Sequence, residues 1–330
     1  MAAMATFDPA DLAQVRAAAE AGKRSLGAGP RTAIVAETTL TAAELHPGAP
    51  EVRVRLLSPS SEPRGLMIYI HGGGWVMYSI DHYDRLARHL ADLTGWAVVM
   101  VDYPIAPEHH FPEPLDCAWE AIGWLEGPDG RAWLDTEIAV PSRRVLAGDS
   151  AGGSIAAACL VRARDGNGFP GDPRSPRSAR GSQPPRARRT FRRSPSFDAA
   201  LLVYPVLDHD LDRLSYFRAL FPADIERDEM RVCWDLYCPD PALRESPDAS
   251  PLRAASLVGL PPTMLITAEG DVLNSEIDLY AARLGEAGVP LVTEHFAGIG
   301  HGCLNLWGYS AEVDRVIGQI DRWLEGVEGR

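Results

Sequence analysis

The stretch RRVLAGDSAGG, residues 143–153, places one serine among residues that are almost all small. The apolar run 145–147 before it predicts a buried strand, and residues 151–164 after it predict a helix. Residues 148–152 fit the pattern G-x-S-x-G, a strand-to-helix turn so tight that small neighbours are needed to expose Ser150. An ordinary glycine-rich loop is the alternative interpretation.

Short continuous apolar runs alternate with helix-like segments along most of the chain. Such runs are typical of strands buried on both faces, as in a parallel sheet covered by helices. The predicted strands of this kind are 65–70, 96–101, 143–148, 199–204 and 262–267, and 290–296 is predicted as the last strand. The predicted helices between and after them are 82–93, 113–126, 151–164, 274–287 and 310–325. We therefore predict an α/β fold, doubly wound around a mostly parallel sheet, as a single domain over 1–330.

The first sixty residues show different patterns. Residues 8–24 predict an amphipathic helix that begins at the Asp8-Pro9 pair, and it would suit either a lid or plain packing. The segments 33–45 and 51–58 predict strands, the second with the alternation of a half-buried one. We expect these two to be antiparallel edge strands.

Charge and composition exclude several classes of partner. The chain has 330 residues, 46% of them hydrophobic, and a formal net charge of −13, which would repel nucleic acids and anionic membranes. It has neither a basic signal-peptide start nor a membrane-length apolar run, and its five cysteines indicate reduced thiols. We expect a soluble cytoplasmic protein with a small-molecule substrate and without nucleic-acid or membrane partners. The sequence is compatible with a homodimer.

Residues 171–194 interrupt the alternating pattern with a segment rich in arginine, proline and serine. Eight arginines against one aspartate make its net charge +7, so the rest of the chain carries −20. This composition is typical of a disordered insertion, and a nucleic-acid-binding tail is the functional alternative. The insertion follows the helix after the serine, which runs away from the edge of the sheet where such folds place their chemistry.

A serine hydroxyl is a weak nucleophile unless a base removes its proton, so Ser150 requires a histidine and an acid. His301 lies between glycines just after the last predicted strand, and Asp271 lies just after the strand 262–267. The order Ser150, Asp271, His301 is the nucleophile–acid–base order of this fold. Glu269 is the rival acid. The other histidines that we considered, each more typical of a surface residue, are His82, His109 and His110.

Stabilising the negative oxygen of a tetrahedral intermediate requires backbone N–H groups aimed at it. The run HGGGW, residues 71–75, follows a predicted strand, and its glycines let the backbone approach a ligand closely. We expect Gly72, Gly73 and Gly74, with the amide of Ala151, to form this oxyanion hole. A phosphate-binding loop is the alternative, but the chain lacks the glycine-lysine pattern of such loops at this point.

Several aromatic and apolar residues near these segments are candidates for the walls of a substrate pocket, although core packing is an equally good interpretation. They are Trp75, Val76, Tyr78 and Tyr204.

Taken together, HGGGW, VDYPIAPEHHFPEP, GDSAGG, the strand-end Asp271 and the GIGHG histidine resemble the hormone-sensitive-lipase-like branch of the α/β-hydrolases, the bacterial family IV carboxylesterases. The resemblance covers about residues 60 to 326. It implies a serine esterase that hydrolyses short-chain acyl esters through an acyl-enzyme, without a metal or organic cofactor. It also implies a small helical cap, here from about 1–30 and about 208–240.

Three features depart from the family pattern: Val272 follows the acid where proline is common, Cys117 replaces a usual acidic residue, and the insertion 171–194 is not a family feature. The motifs leave other outcomes open on the same scaffold: a biosynthetic acyltransferase, a lactone-forming cyclase or an amide deacetylase. A non-catalytic ligand-binding relative is a third alternative, which the complete set of serine, histidine and acid disfavours.

We predict that deletion of 172–193 leaves esterase activity intact, because the insertion leaves the helix at the end remote from the serine. Hydrolysis of p-nitrophenyl acetate by the deletion variant and the full chain would measure this. A deletion variant that keeps its circular dichroism spectrum but loses hydrolysis would contradict the prediction.

Overall fold

The fold is built on one eight-stranded sheet in the computed structural model, which describes residues 11–25, 27–166, 195–218 and 225–328. Its strands are β1 (Ile34–Leu40), β2 (Val52–Ser58), β3 (Leu66–Ile70), β4 (Ala97–Asp102), β5 (Arg144–Asp149), β6 (Ala199–Val203), β7 (Thr263–Ala268) and β8 (Leu291–Phe296). Their order across the sheet is β1-β2-β4-β3-β5-β6-β7-β8. The pairs β1–β2 and β2–β4 are antiparallel, and all the others are parallel.

All eight strands predicted from the sequence are confirmed, with ends that differ by a few residues. Every residue of β3, β5 and β6 is buried, as expected for strands covered on both faces. The edge strand β1 alternates between exposed and half-buried residues instead. The continuous runs therefore mark the centre of the sheet. The segments 33–45 and 51–58 are antiparallel as predicted, but only the first forms an edge strand, because β2 lies between β1 and β4.

Helices cover both faces of the sheet, which confirms the doubly wound prediction. Those in the described residues are α1 (Leu12–Ser25), α2 (Ile80–Thr94), α3 (Glu113–Glu126), α4 (Pro128–Asp135), α5 (Ser150–Arg164), α6 (Arg227–Tyr237), α7 (Pro241–Arg244), α8 (Asn274–Glu286) and α9 (Ala311–Glu328). One face carries α2 and α9, which contact each other, and the other carries α3, α5 and α8. Among the described residues, no helix is long and apolar enough to cross a membrane.

Three helices were not predicted individually, namely α4, α6 and α7. Helix α6 lies inside the region 208–240 that we expected to be helical, and the short 3₁₀ turn Leu214–Phe217 precedes it. The predicted insertion 171–194 and residues 1–10, 26 and 219–224 of the predicted cap lie outside the described residues.

The first turn of helix α5 packs against the sheet with almost no side-chain volume. The helix residues from Ser150 to Arg162 are all buried, which suits a helix that is apolar or small on every side. A Cβ added at Gly152 would lie 2.2 Å from the carbonyl oxygen of Ile70 and 2.3 Å from that of His71. The absence of a side chain at Gly152 therefore sets how closely α5 approaches the end of β3.

We predict that Gly152→Ala lowers the free energy of unfolding by about 1–3 kcal/mol, the usual effect of overpacking, because backbone atoms cannot move aside as a flexible side chain can. Esterase activity should fall with it, since Ser150 would shift. Gly318→Ala is the matched control, because a Cβ there in α9 meets nothing within 4 Å. It should raise stability by up to about 1 kcal/mol. Urea unfolding of both variants measures this, and equal effects would contradict the packing argument.

Candidate active site

Ser150 stands at the junction of β5 and α5 in a backbone conformation that is rare for residues with a side chain. Its φ is 53°, in the left-handed region, as the G-x-S-x-G pattern predicts. The turn is tight enough that a Cβ added at Gly148 would lie 2.5 Å from the carbonyl oxygen of Gly152. The small residues on both sides of the serine therefore allow the strand to turn directly into the helix.

Ser150, His301 and Asp271 lie within hydrogen-bonding distance of one another in a chain. The Oγ atom of Ser150 is 2.8 Å from Nε2 of His301, and Nδ1 of His301 is 2.7 Å from Oδ2 of Asp271. The other carboxylate oxygen of Asp271 accepts from the backbone N–H of Leu273 at 2.9 Å. The Asp271 carboxylate is completely buried and the His301 ring is nearly so. Each carboxylate oxygen of Asp271 thus has a hydrogen-bond partner, and one of these bonds orients the imidazole of His301.

The rival residues considered from the sequence lie elsewhere. Glu269 is exposed, and its carboxylate accepts from the backbone N–H of Gly298 at 2.7 Å. The other three histidines form contacts of their own: His82 with Glu20, His109 with Glu113, and His110 with the carbonyl oxygen of Leu236. Among the described residues, Ser150 is hydrogen-bonded to His301 and to none of these rivals.

The loop after β3 brings further backbone N–H groups near the serine. Gly73 and Gly74 have φ values of 122° and 60°, which glycine adopts far more readily than other residues. Among the described residues, no hydrogen bond engages the N–H groups of Gly73, Gly74 or Ala151. The N–H of Gly72 differs, because it donates to Oδ1 of Asp149 at 3.0 Å. The N–H of Gly72 is therefore already engaged, and its expected part as an oxyanion donor stays a prediction.

Asp149 is a buried carboxylate directly before the serine. Besides Gly72, it accepts hydrogen bonds from the hydroxyl groups of Tyr69 and Tyr83, both at 2.8 Å. Burial raises the pKa of Asp149 to about 6, even though these three donors favour the charged form. The sequence motif identifies this aspartate but does not reveal its partners, which come from β3, α2 and the glycine loop.

The predicted pocket residues divide into two groups. Trp75 and Val76 are fully buried, and the Trp75 ring stacks on Tyr237 with centroids 4.4 Å apart and planes 5° apart. Tyr204 is also fully buried, with its ring centroid 4.7 Å from that of His301. Tyr78 is only half-buried. Packing is thus the evident role of Trp75, and the part of all four in a substrate pocket stays a prediction.

Helix α6 packs onto the glycine loop, a contact that the sequence analysis missed. A Cβ added at Gly74 would lie 2.7 Å from Sγ of Cys233. The Trp234 and Tyr237 rings of the same helix both contact Trp75. Because α6 and the glycine loop are about 155 residues apart in the sequence, no local pattern could have paired them.

A nucleophile-like serine on a strand-to-helix turn, beside a histidine and a buried acid in this chain order, defines the class of α/β-hydrolases. A family model described as alpha/beta hydrolase fold matches residues 67–305. The chain is 31% identical over 265 residues to carboxylesterase NlhH of Mycobacterium tuberculosis, covering 79% of this chain and 73% of that one.

Other comparisons agree. The chain is 27% identical over 284 residues to an ethyl acetate hydrolase of Pseudomonas putida, covering 85% of this chain and 79% of that one. Its structure matches that of a hyperthermophilic esterase from the archaeon Pyrobaculum calidifontis with a TM-score of 0.80 and 29% sequence identity, covering 98% and 93% of the two chains. The chain therefore belongs to the α/β-hydrolase family, in its hormone-sensitive-lipase-like branch of carboxylesterases.

We predict that Asp271→Asn lowers kcat by roughly 10³- to 10⁴-fold. The amide oxygen would keep accepting from the Leu273 N–H, so the amide NH₂ group would face Nδ1 of His301. The imidazole would then carry its hydrogen on Nε2 and could not accept the Ser150 proton. Glu269→Gln is the control and should change kcat less than about twofold, because its exposed side chain still accepts from Gly298. Steady-state kinetics of both variants would decide, and a reversed order would reassign the acid to Glu269.

Proposed function

We propose that this carboxylesterase hydrolyses short-chain acyl esters through an acyl-enzyme on Ser150, with His301 as the base and Asp271 as the acid that orients it. The observation that carries the proposal is the chain of hydrogen bonds from Ser150 Oγ to His301 at 2.8 Å and from His301 to Asp271 at 2.7 Å. For Nε2 to accept the serine proton, Nδ1 must carry the ring hydrogen, and Asp271 is placed to accept it.

In the first half of the reaction, Ser150 Oγ attacks the ester carbonyl carbon as His301 takes the hydroxyl proton. The carbonyl oxygen becomes negative and is stabilised by the amides of Gly73, Gly74 and Ala151. Collapse of the tetrahedral intermediate breaks the bond to the alcohol oxygen, which leaves with the proton from His301. The acyl group remains on the serine.

In the second half, water takes the place of the alcohol. His301 accepts a proton from water as the oxygen attacks the acyl carbonyl, and the same amides stabilise the second intermediate. Collapse returns the proton to Ser150 Oγ and releases the carboxylic acid. The imidazole must therefore be unprotonated at the start of each half.

The preference for short acyl chains is supported by the packing around the glycine loop. Helix α6 contacts Gly74 through Cys233, and the side chains of Trp75 and Val76 are fully buried in the core. The side of the glycine loop at Gly74 is thus occupied by α6, which we take to favour small acyl groups. A relative acts, by its name, on the small ester ethyl acetate.

We also propose that α1 and the segment 208–240 form a cap over this site. Supporting contacts come from both parts: Arg16 of α1 donates to the carbonyl oxygen of Val76 at 2.9 Å, and α6 contacts Gly74 and Trp75. The Ser215 hydroxyl in the same segment donates to the carbonyl oxygen of Val272, next to Asp271. These contacts with the glycine loop and the acid loop support the proposal of a cap.

We expect Ser150→Ala to abolish hydrolysis of p-nitrophenyl acetate and labelling by a fluorophosphonate probe, with the fold unchanged by circular dichroism. Hydrolysis in ¹⁸O-labelled water should place one label in the acid product of the unaltered enzyme. Product without the label would indicate transfer to another acceptor. Hydrolysis that survives in Ser150→Ala would overturn the assignment of the nucleophile.

A further inference from the structure

One side chain connects the two parts of the oxyanion hole. Asp149 is the last residue of β5, where it pairs with Val203 of β6, so its backbone is held by the sheet. It is bonded covalently to Ser150, and Ala151 follows. Its carboxylate accepts from the N–H of Gly72, the residue directly before Gly73 and Gly74. A single hydrogen bond thus ties the glycine loop to the serine turn.

The fit between the carboxylate and the loop is close. A Cβ added at Gly72 would lie 2.6 Å from Oδ2 of Asp149 and 2.9 Å from the hydroxyl oxygen of Tyr83. Tyr69 and Tyr83 hold the two carboxylate oxygens from the other side, each at 2.8 Å. The carboxylate therefore has one orientation, and that orientation determines where Gly72 lies.

A contribution to stability does not explain why a carboxylate is buried at position 149. Asp149 is 1% exposed, and among the described residues no arginine, lysine or histidine forms an ion pair with it. Because its folded-state pKa lies near 6, above the ordinary 3.8, the ionised form costs stability above about pH 6 and the cost is relieved as the pH falls. A neutral side chain of the same shape would avoid this cost, so a charge retained here indicates a role in function.

We propose that Asp149 is a positioning residue that holds the Gly73 and Gly74 amides at the distance from Ser150 that the oxyanion requires. The inference rests on the proposed function of Ser150 and these amides. Asp149 contacts neither substrate nor reacting atoms and acts through Gly72. Its removal should therefore weaken binding of the transition state and leave binding of the ester nearly unchanged.

The first test is Asp149→Asn at pH 8. We expect kcat to fall about five- to tenfold while KM changes less than threefold, because a neutral amide accepts more weakly from Gly72 than a carboxylate does. Affinity for a trifluoromethyl ketone, which forms an oxyanion on the serine, should fall by a similar factor. The midpoint of thermal unfolding should be equal or higher, because no charge is buried.

Asp149→Leu, which removes the acceptor altogether, should lower kcat by about 10²-fold or more, near the effect of losing an oxyanion donor. Fluorophosphonate titration counts the active sites, so that a poorly folded fraction is not mistaken for a slow enzyme. Tyr280→Phe is the control: it removes a buried hydroxyl that has no hydrogen-bond partner among the residues the structure describes, and kcat should stay within twofold.

Each outcome decides the matter. If Asp149→Asn keeps its kcat within twofold, the positioning role is overturned. It is also overturned if the variant loses both kcat and stability while the affinity of each active site for the ketone is unchanged. If Asp149→Leu does not fold, the Asn variant alone decides. Ser150→Ala, assayed beside them, separates the two proposals. Hydrolysis that persists in Ser150→Ala rejects the proposed function. If Ser150→Ala loses hydrolysis but Asp149→Asn is fully active, only the role of Asp149 is rejected.

Discussion

The left-handed backbone of Ser150, at φ 53°, is the constraint on which the rest of the structure depends. Such a conformation costs a non-glycine residue about 1–3 kcal/mol and persists only where its surroundings enforce it. Here the sheet fixes β5 on one side, and α5 begins at the serine on the other. Gly152 then brings the helix against the carbonyl oxygens that end β3, which is where the glycine loop starts. The strained turn thus also sets the distance between the serine and the amides of the glycine loop.

Much of the fold was predictable because its elements have local signatures. Strands buried on both faces appear as unbroken apolar runs, and the serine turn, the glycine loop and the strand-end acid each follow such a run. In a parallel sheet the carboxyl ends of the strands share one edge, so chain order was sufficient to bring Ser150, Asp271 and His301 together. The choice of Asp271 over Glu269 followed from side-chain position at the strand end, and the hydrogen bonds of the two residues agree with it.

The features that escaped prediction are contacts between distant segments. The partner of the Gly72 amide is a side chain 77 residues away, and Trp75 packs on a helix that only the family resemblance indicated, as part of a helical region. Three consecutive glycines look alike in the sequence, but only the surroundings decide which N–H groups face a ligand and which are already bonded. An aromatic residue likewise has the same signature in a core and in a pocket. Where such residues meet depends on how the cap folds over the loop, and the cap has no repeating pattern to reveal it.

The stability of the buried acids and the reaction at Ser150 favour opposite ends of the pH range. Burial raises the pKa of Asp149 to about 6 and that of Glu276 well above its usual range, although Glu276 accepts from the N–H of Leu207 at 2.7 Å. Both groups contribute most to stability when protonated, at low pH, and that contribution is lost as the pH rises through their folded-state pKa values. The reaction has the opposite requirement, since His301 must be unprotonated to take the Ser150 proton. Above about pH 6, Asp149 is charged at a cost in stability, and we infer that this charge holds the glycine loop against the serine turn.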